Sequence, residues 1–434
     1  MNMLEPIPTI TLSNGLQIKL KEIHTAPLIS SWIWYRVGSR DEIPGQTGIS
    51  HWVEHLQFKG TERFPADALE KAVSRTGGLW NAFTYLDWTT YFETMPADKI
   101  DLALELEADR MLNSTYDLEE VESERTVVIS ERQGRENSPG FRLQEAIRNA
   151  AFRVHSYHHE IIGDMADLNS ITRDDLFQHY QTYYAPNNAV IAIAGDFETD
   201  KILKRITDLY ETVPRGEDLS RTNRSEPPQR GEHRITVEGP GETIIGNMVY
   251  HTPPASDPDF FPLLILDSLL SGPQGLNMFG GGGISNKTSR LYQRMVEKEE
   301  VVVDVHGGLP ATIDPYLYSL NFIIHPASSP EEAIKVLNEE IQRLQDTPPK
   351  PEEIQRAAKQ TRALFAYGGE SITNQAFWLG FSEMFASYKW VTEYLSKLAA
   401  VNPEDVQRVA QTYLVPQNRL VGFYYPHNKE NNKV

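Results

Sequence analysis

The chain carries one short unit twice, and no other feature limits its fold as much. DDLFQHYQTYYAPNNAVIAIAGD begins at Asp174, and EDVQRVAQTYLVPQNRLVGFYYP begins at Glu404, 230 residues later. Without a gap, Asp175 meets Asp405, Gln181 meets Gln411, Thr182 meets Thr412, Tyr183 meets Tyr413, Pro186 meets Pro416 and Asn188 meets Asn418. Each copy reads as a helix, a proline turn and a closing apolar strand. Self-similarity at one long spacing implies a duplicated architecture. A chain of 434 residues has room for two such domains, each of roughly 200 residues. The polar stretch LSRTNRSEPPQRGEH, with Pro227–Pro228, reads as the linker between them. The expected division is 1–218, a linker over 219–233, and 234–434.

Each half begins with strands. Ile10 and Leu12, then Leu16, Ile18 and Leu20, alternate around Asn14–Gly15, a strong hairpin signal. LISSWIWYRV (28–37) is rich in strand formers. A helix is expected over about 49–58, and a second from Pro65 to just before Gly77–Gly78. Strands follow near 79–84 and 88–95, then a long helical stretch from about 97 to 153, and a buried strand at 189–195. The second half shows strands near 234–238, 243–250, 300–307 and 315–324. Its helices fall near 258–271, 330–346 and 351–398.

Residues 51–55 read His-Trp-Val-Glu-His. On a helix, positions i and i+4 share a face, so both imidazoles can reach one ion. Glu54 lies on the same side, near enough to act on a water at that ion. Ile49, Trp52, Val53 and Leu56 give the helix an apolar face that would bury it, and buried histidines need partners. With no cysteine in the chain, a metal must be held by His and carboxylates, of which there are 12 and 60. Zinc suits two neutral imidazoles and a carboxylate, with a fourth position for water whose pKa it lowers toward about 7. The motif is H-x-x-E-H, the reverse of H-E-x-x-H. A third ligand must come from elsewhere. The acidic helix at about 117–135 offers Glu119, Glu120, Glu122, Glu124 and Glu131, and composition does not choose among them.

Here the sequence resembles the pitrilysin/insulinase family of inverted zinc peptidases, which includes the mitochondrial processing peptidases. HWVEHLQFKGTERFP fits the extended motif of that family, with Gly60 and Thr61 in place. Its distal zinc-ligand Glu lies about 75 residues further on, seven after another Glu; 75 residues separate His55 from Glu131, and Glu124 stands seven before it. The resemblance thus implies His51, His55 and Glu131 as ligands of one zinc per chain, Glu54 as catalytic base and Glu124 as support for the site. GGLWNAFTYLDWTTYFETMP resembles the family's edge strand, which implies that Asn81, Ala82, Phe83 and Thr84 bind an extended peptide by strand addition. HSYHHEIIGDMADLNSIT and YYAPNNAVIAIAGDF match as well. The implied fold is α+β, two structurally similar α/β-roll domains of mostly antiparallel sheet flanked by helices. Residues 1–218 would be the catalytic domain and 234–434 a non-catalytic repeat. The implied function is a zinc-dependent endopeptidase of the short two-domain type.

One departure bears on partners. The family carries an Arg and a Tyr seven apart after a Ser-Arg-Leu stretch, and Ser289-Arg290-Leu291 aligns with it. The Arg and Tyr positions are Val296 and Val303 here. The expected arrangement is a heterodimer in which a second homologous chain supplies that pair, with a homodimer as runner-up. Two alternatives stay open: a structural subunit, like the core subunits of respiratory complex III that share this fold, and a subunit that only presents peptide. The formal charge of −19 argues against nucleic acid as a partner. No apolar run reaches the roughly eighteen residues that span a bilayer. MNMLEPIPTITLSNG has no signal-peptide character, so the expected address is the cytoplasm. The Gly280–Gly283 loop is either a plain surface loop or a substrate contact, and His155, His158 and His159 are expected to pack or hydrogen-bond. The tail NKENNKV is polar and expected to be disordered.

Overall fold

A computed structural model describes residues 5–221, 224–277 and 285–427. Two sheets form its frame. The first runs β1 (Ile10–Thr11), β2 (Gln17–Glu22), β6 (Ala189–Gly195), β3 (Leu28–Tyr35), β5 (Thr89–Pro96) and β4 (Leu79–Thr84) in spatial order. The second runs β7 (His233–Gly239), β11 (Arg419–Pro426), β8 (Ile245–Thr252), β10 (Tyr316–Ile324) and β9 (Val302–Gly308). The pairing repeats strand for strand. β2 runs parallel to β6 as β7 does to β11, and the other neighbours from β6 to β4 and from β11 to β9 are antiparallel. Both halves are α+β, a mostly antiparallel sheet flanked by helices.

The helices of the first half are α1 (Ile49–Leu56), α2 (Ala66–Arg75), α3 (Ile100–Asn113), α4 (Leu118–Glu136), α5 (Pro139–Ala151), α6 (Met165–Ser170), α7 (Arg173–Tyr183) and α8 (Thr199–Tyr210). Those of the second are α9 (Phe260–Leu270), α10 (Pro330–Asp346), α11 (Pro351–Gly368), α12 (Ile372–Phe385), α13 (Tyr388–Ala400) and α14 (Pro403–Tyr413). The repeated unit is α7–β6 and α14–β11, and the same hydrogen-bond pattern builds it twice. Thr172 and Asp175 form a capping box at the start of α7, and Asn402 and Asp405 form one at the start of α14. Asn188 Nδ2 donates to Tyr183 O, and Asn418 Nδ2 to Tyr413 O, each at 2.8 Å.

The two long helical stretches are each broken in three. Pro139 starts α5 at a position where no backbone N–H is needed. Ser371 caps α12 by accepting from Asn374 N at 3.4 Å. These breaks matter because α5 and α12 leave their own halves. α12 lies across β3 and β6 of the first sheet, with Phe377 5.4 Å from the rings of both Trp32 and Trp34. α5 lies across β11 and β7, with Leu143 and Ile147 in one cluster with Val249, Leu420 and Tyr424. Each half therefore covers the other's sheet. Polar contacts lock the exchange: Lys19 Nζ stands 3.1 Å from Glu383 Oε1, and Arg40 Nε donates to Asp314 Oδ2 at 2.6 Å. The segment before β7 is pinned, since Glu226 Oε2 accepts from Val154 N and His155 N at 2.8 and 3.0 Å. The opposite face of the first sheet holds the core built by α1, α3 and α8.

Gly380 on α12 has no room for a side chain, because a Cβ there would stand 2.0 Å from Trp34 Nε1. Gly380→Val should destabilise the chain by about 1–3 kcal/mol through overpacking. Thermal unfolding measures it, and an unchanged midpoint would contradict this packing.

Candidate active site

Gly48 admits the chain to α1 with a φ of 87°, a left-handed conformation that favours glycine. The buried Glu42 carboxylate then accepts from Gly48 N at 2.8 Å and Ser50 N at 2.9 Å, two donors that a helix start leaves unpaired. His159 Nε2 bonds the same carboxylate at 2.8 Å. His155 instead bonds Asp314, at 3.1 Å, and His158 Nδ1 lies 3.1 Å from His155 O. Ile49, Trp52, Val53 and Leu56 are buried in the core of the first half.

α4 packs against α1 and presents one face to it. Val121 and Val128, two turns apart, are fully buried in the same core, and Glu124 and Glu131 follow them on that face. Arg125 fixes α4 from the side. Its guanidinium lies 4.7 Å from the Trp52 ring and donates to Leu168 O and Ile171 O at 2.6 and 2.8 Å.

This packing brings His51, His55 and Glu131 together, with one ligand atom of each within 4.8 Å of the others. Glu131 Oε2 stands 3.7 Å from His51 Nε2 and 3.6 Å from His55 Nε2. Two ligands of one tetrahedral zinc, each at about 2.0–2.1 Å, stand roughly 3.4 Å apart, so the set fits that ion. It is the sole such His/Asp/Glu group among the described residues. His55 Nδ1 lies 3.2 Å from Glu124 Oε2, which directs the other ring nitrogen at the cluster. Glu124 Oε1 is held by Lys59 Nζ at 2.6 Å, and Glu131 Oε1 by Arg135 Nη2 at 2.7 Å. Of the five acidic candidates on α4, only Glu124 and Glu131 reach the imidazoles. Glu122 pairs with Arg125, Glu120 lies 3.5 Å from Lys59, and Glu119 is exposed.

Burial and charge set the protonation states. Burial, then the neighbouring His55, pulls His51 down to about 4, so its ring is neutral and able to ligate. Burial also depresses His55, but the Glu124 bond and the carboxylates of Glu54, Glu124 and Glu131 outweigh it and raise it. For Glu131, burial is outweighed by the charge of His51 in its protonated form and by the Arg135 guanidinium that bonds it, which keep it below the usual carboxylate range. Burial pushes Glu54 up to about 7, against the opposing effects of the Thr84 bond and His55.

β4 lies at the sheet edge and pairs only with β5 among the described strands. Its last residue, Thr84, donates from Oγ1 to Glu54 Oε2 at 2.6 Å. Asn81 is exposed and its Oδ1 accepts from Ala82 N at 2.9 Å, Ala82 is buried, and Phe83 lies parallel to Phe92 at 6.2 Å. Sequence reasoning missed the Thr84–Glu54 bond and the roles of Lys59 and Arg135. Arg135 stands at i+4 from Glu131, a readable signal; the other two contacts arise only from the packing of α1 on β4 and α4.

In the second half α9 follows β8 as α1 follows β3, and it carries no histidine. Its buried Asp267 is occupied by Ser271 Oγ and Tyr318 OH at 2.6 and 2.9 Å. Val296 lies half-buried on a π-helical turn, Tyr292–Lys298, and Val303 is exposed on β9. The Gly280–Gly283 loop and the tail from residue 428 lie outside the described residues.

Two helix-flanked sheets with a His-His-Glu cluster between α1 and α4 match one peptidase family. The chain belongs to the pitrilysin/insulinase peptidase family, M16. The family profile described as "Insulinase (Peptidase family M16)" matches residues 17–165, and that described as "Peptidase M16 inactive domain" matches 170–361. The chain is 28% identical to the zinc protease PqqE of Helicobacter pylori, over 96% of this chain and 92% of that one. It is 27% identical to an uncharacterized zinc protease of Streptomyces coelicolor, over 93% of this chain and 86% of that one. Its structure superposes on the crystal structure of a protease from Helicobacter pylori with a TM-score of 0.90 at 27% identity, covering 97% of this chain and 99% of that chain.

The purified chain should bind one zinc, and His55→Ala and Glu131→Ala should each abolish that binding. Glu124→Gln should weaken it about 10–100-fold through the freed His55 ring. Competition against a chromophoric chelator gives these affinities, and equal affinity in all four proteins would contradict the assignment.

Proposed function

We propose that this chain is a zinc-dependent endopeptidase acting on extended or unfolded peptides, and that it is the zinc-bearing half of a two-chain protease. The observation that carries the reading is the convergence of His51, His55 and Glu131 beside a buried Glu54. The relatives named zinc proteases, which align over nearly the whole chain, support it.

His51, His55 and Glu131 would hold the ion. Bound zinc supplies Lewis acidity where a water and a peptide carbonyl meet. Glu54, buried and bonded to Thr84, takes the water's proton and passes it to the departing amine. Thr84 keeps the Glu54 carboxylate turned toward the site. Glu124 accepts the Nδ1 proton of His55 and holds that ring in place. The free edge of β4, Asn81 to Thr84, aligns an extended peptide by main-chain hydrogen bonds.

The two valines support the two-chain reading. Val296 and Val303 offer no hydrogen-bond donor from their side chains, and loss of one oxyanion donor costs about 10²–10³ in rate in other peptidases. A second homologous chain would restore those donors. The same valines favour a second reading, a structural or peptide-presenting subunit without turnover of its own.

Hydrolysis of an unstructured peptide separates these readings. The zinc-loaded chain should be weak alone, gain sharply when mixed equally with its partner chain, and lose activity to a chelator. Full activity alone would refute the division of labour, and none in any mixture would favour the structural reading. Glu54→Gln should keep zinc and lose about 10²–10⁴ in rate, whereas retained turnover would refute Glu54 as base.

A further inference from the structure

A cavity of about 470 Å³ lies between the two halves, on the side of the first sheet opposite α1. Much of its wall is aromatic, with Tyr85 and Trp88 from the β4–β5 turn, Phe377 and Phe381 from α12, Tyr316 from β10 and Trp390 from α13; the uncharged polar side chains of Gln144, Gln274, Asn277 and Ser319 line it too. Arg148 is the one charged side chain among its described lining residues. That guanidinium is already matched, donating to Glu160 Oε2 at 3.2 Å and His159 O at 3.3 Å. The cavity thus presents no free charge and suits an apolar occupant.

Its place relative to β4 decides which occupant. Thr84 points to the α1 side and holds Glu54, while Tyr85, the next residue, lines the cavity. Strand side chains alternate between faces, and so do those of a peptide added to a strand edge. A peptide running along β4 toward residue 85 therefore sends one side chain to the Glu54 face and its neighbour to the cavity face. We propose that this inter-domain cavity is a substrate side-chain pocket that takes an aromatic or large aliphatic residue of the bound peptide. The proposal rests on the peptidase reading for its occupant, and its lining joins both halves of the chain, so specificity depends on how α12 and the β9–β10 loop sit against the first sheet.

The test uses otherwise identical unstructured peptides with Phe or Ala at each position in turn, on the full chain with any partner it requires. Two variants fill the cavity from different elements, Ala311→Phe and Ser319→Leu. At one position the unmodified chain should prefer Phe over Ala at least tenfold in kcat/KM, and both variants should reduce that preference below twofold. No preference, or one that survives both variants, would overturn the pocket. The same peptides are measured for binding to Glu54→Gln by calorimetry. If nothing is cleaved but Phe-selective binding is present and the filling substitutions remove it, the pocket stands and the peptidase reading fails. Absence of Phe-selective binding and cleavage would overturn the pocket.

Discussion

The packing of α4 on α1 is the contact on which the rest depends. Val121 and Val128 set the register by burying against the core that holds Trp52, Val53 and Leu56. Glu124 and Glu131 then arrive opposite the two imidazoles because they share the valines' face. A slip of one residue would turn both carboxylates by about 100° and empty the cluster. Arg125, lying on Trp52 and bonded to two carbonyls near α6, resists that slip. Glu42 fixes the other partner by gripping the first amides of α1. The chemistry is local, but the forces that place it are ordinary core packing and helix capping.

The duplication explains how such a site is kept rigid at a sheet edge. Each half lends a helix to the other's sheet, so α12 backs the strands that lead to β4 while α5 backs the second sheet. The halves keep the same strand order but not the same chemistry. Where α1 carries His51, Glu54 and His55, α9 is almost wholly apolar, and its Asp267 is consumed by internal hydrogen bonds. The second half thus serves as a wall and a brace, and the aromatic cavity between the halves is a product of that exchange.

Much of this was legible in the sequence for specific reasons. The repeat showed because Asn188 and Asn418, and the acidic residues Asp175 and Asp405, are required by identical local hydrogen bonds. The His-x-x-Glu-His spacing fixes its own geometry on a helix. Glu131 was not legible from residue chemistry, since five acids on one helix look alike until α4 is packed; only a family resemblance chose it. The break before α4 carries neither Pro nor Gly, so the stretch from 97 to 153 read as one helix. The exchange of α5 and α12 has no local signature, because a helix with one apolar face does not say whose sheet it covers. The Thr84–Glu54 bond was hidden for the same reason.

Zinc-edge anomalous diffraction from a crystal of the zinc-loaded chain tests the central claim most directly. One peak per chain is expected, bonded to His51, His55 and Glu131, with Glu54 beside it and outside the ligand set. A peak elsewhere, or none at full zinc saturation, would contradict the account.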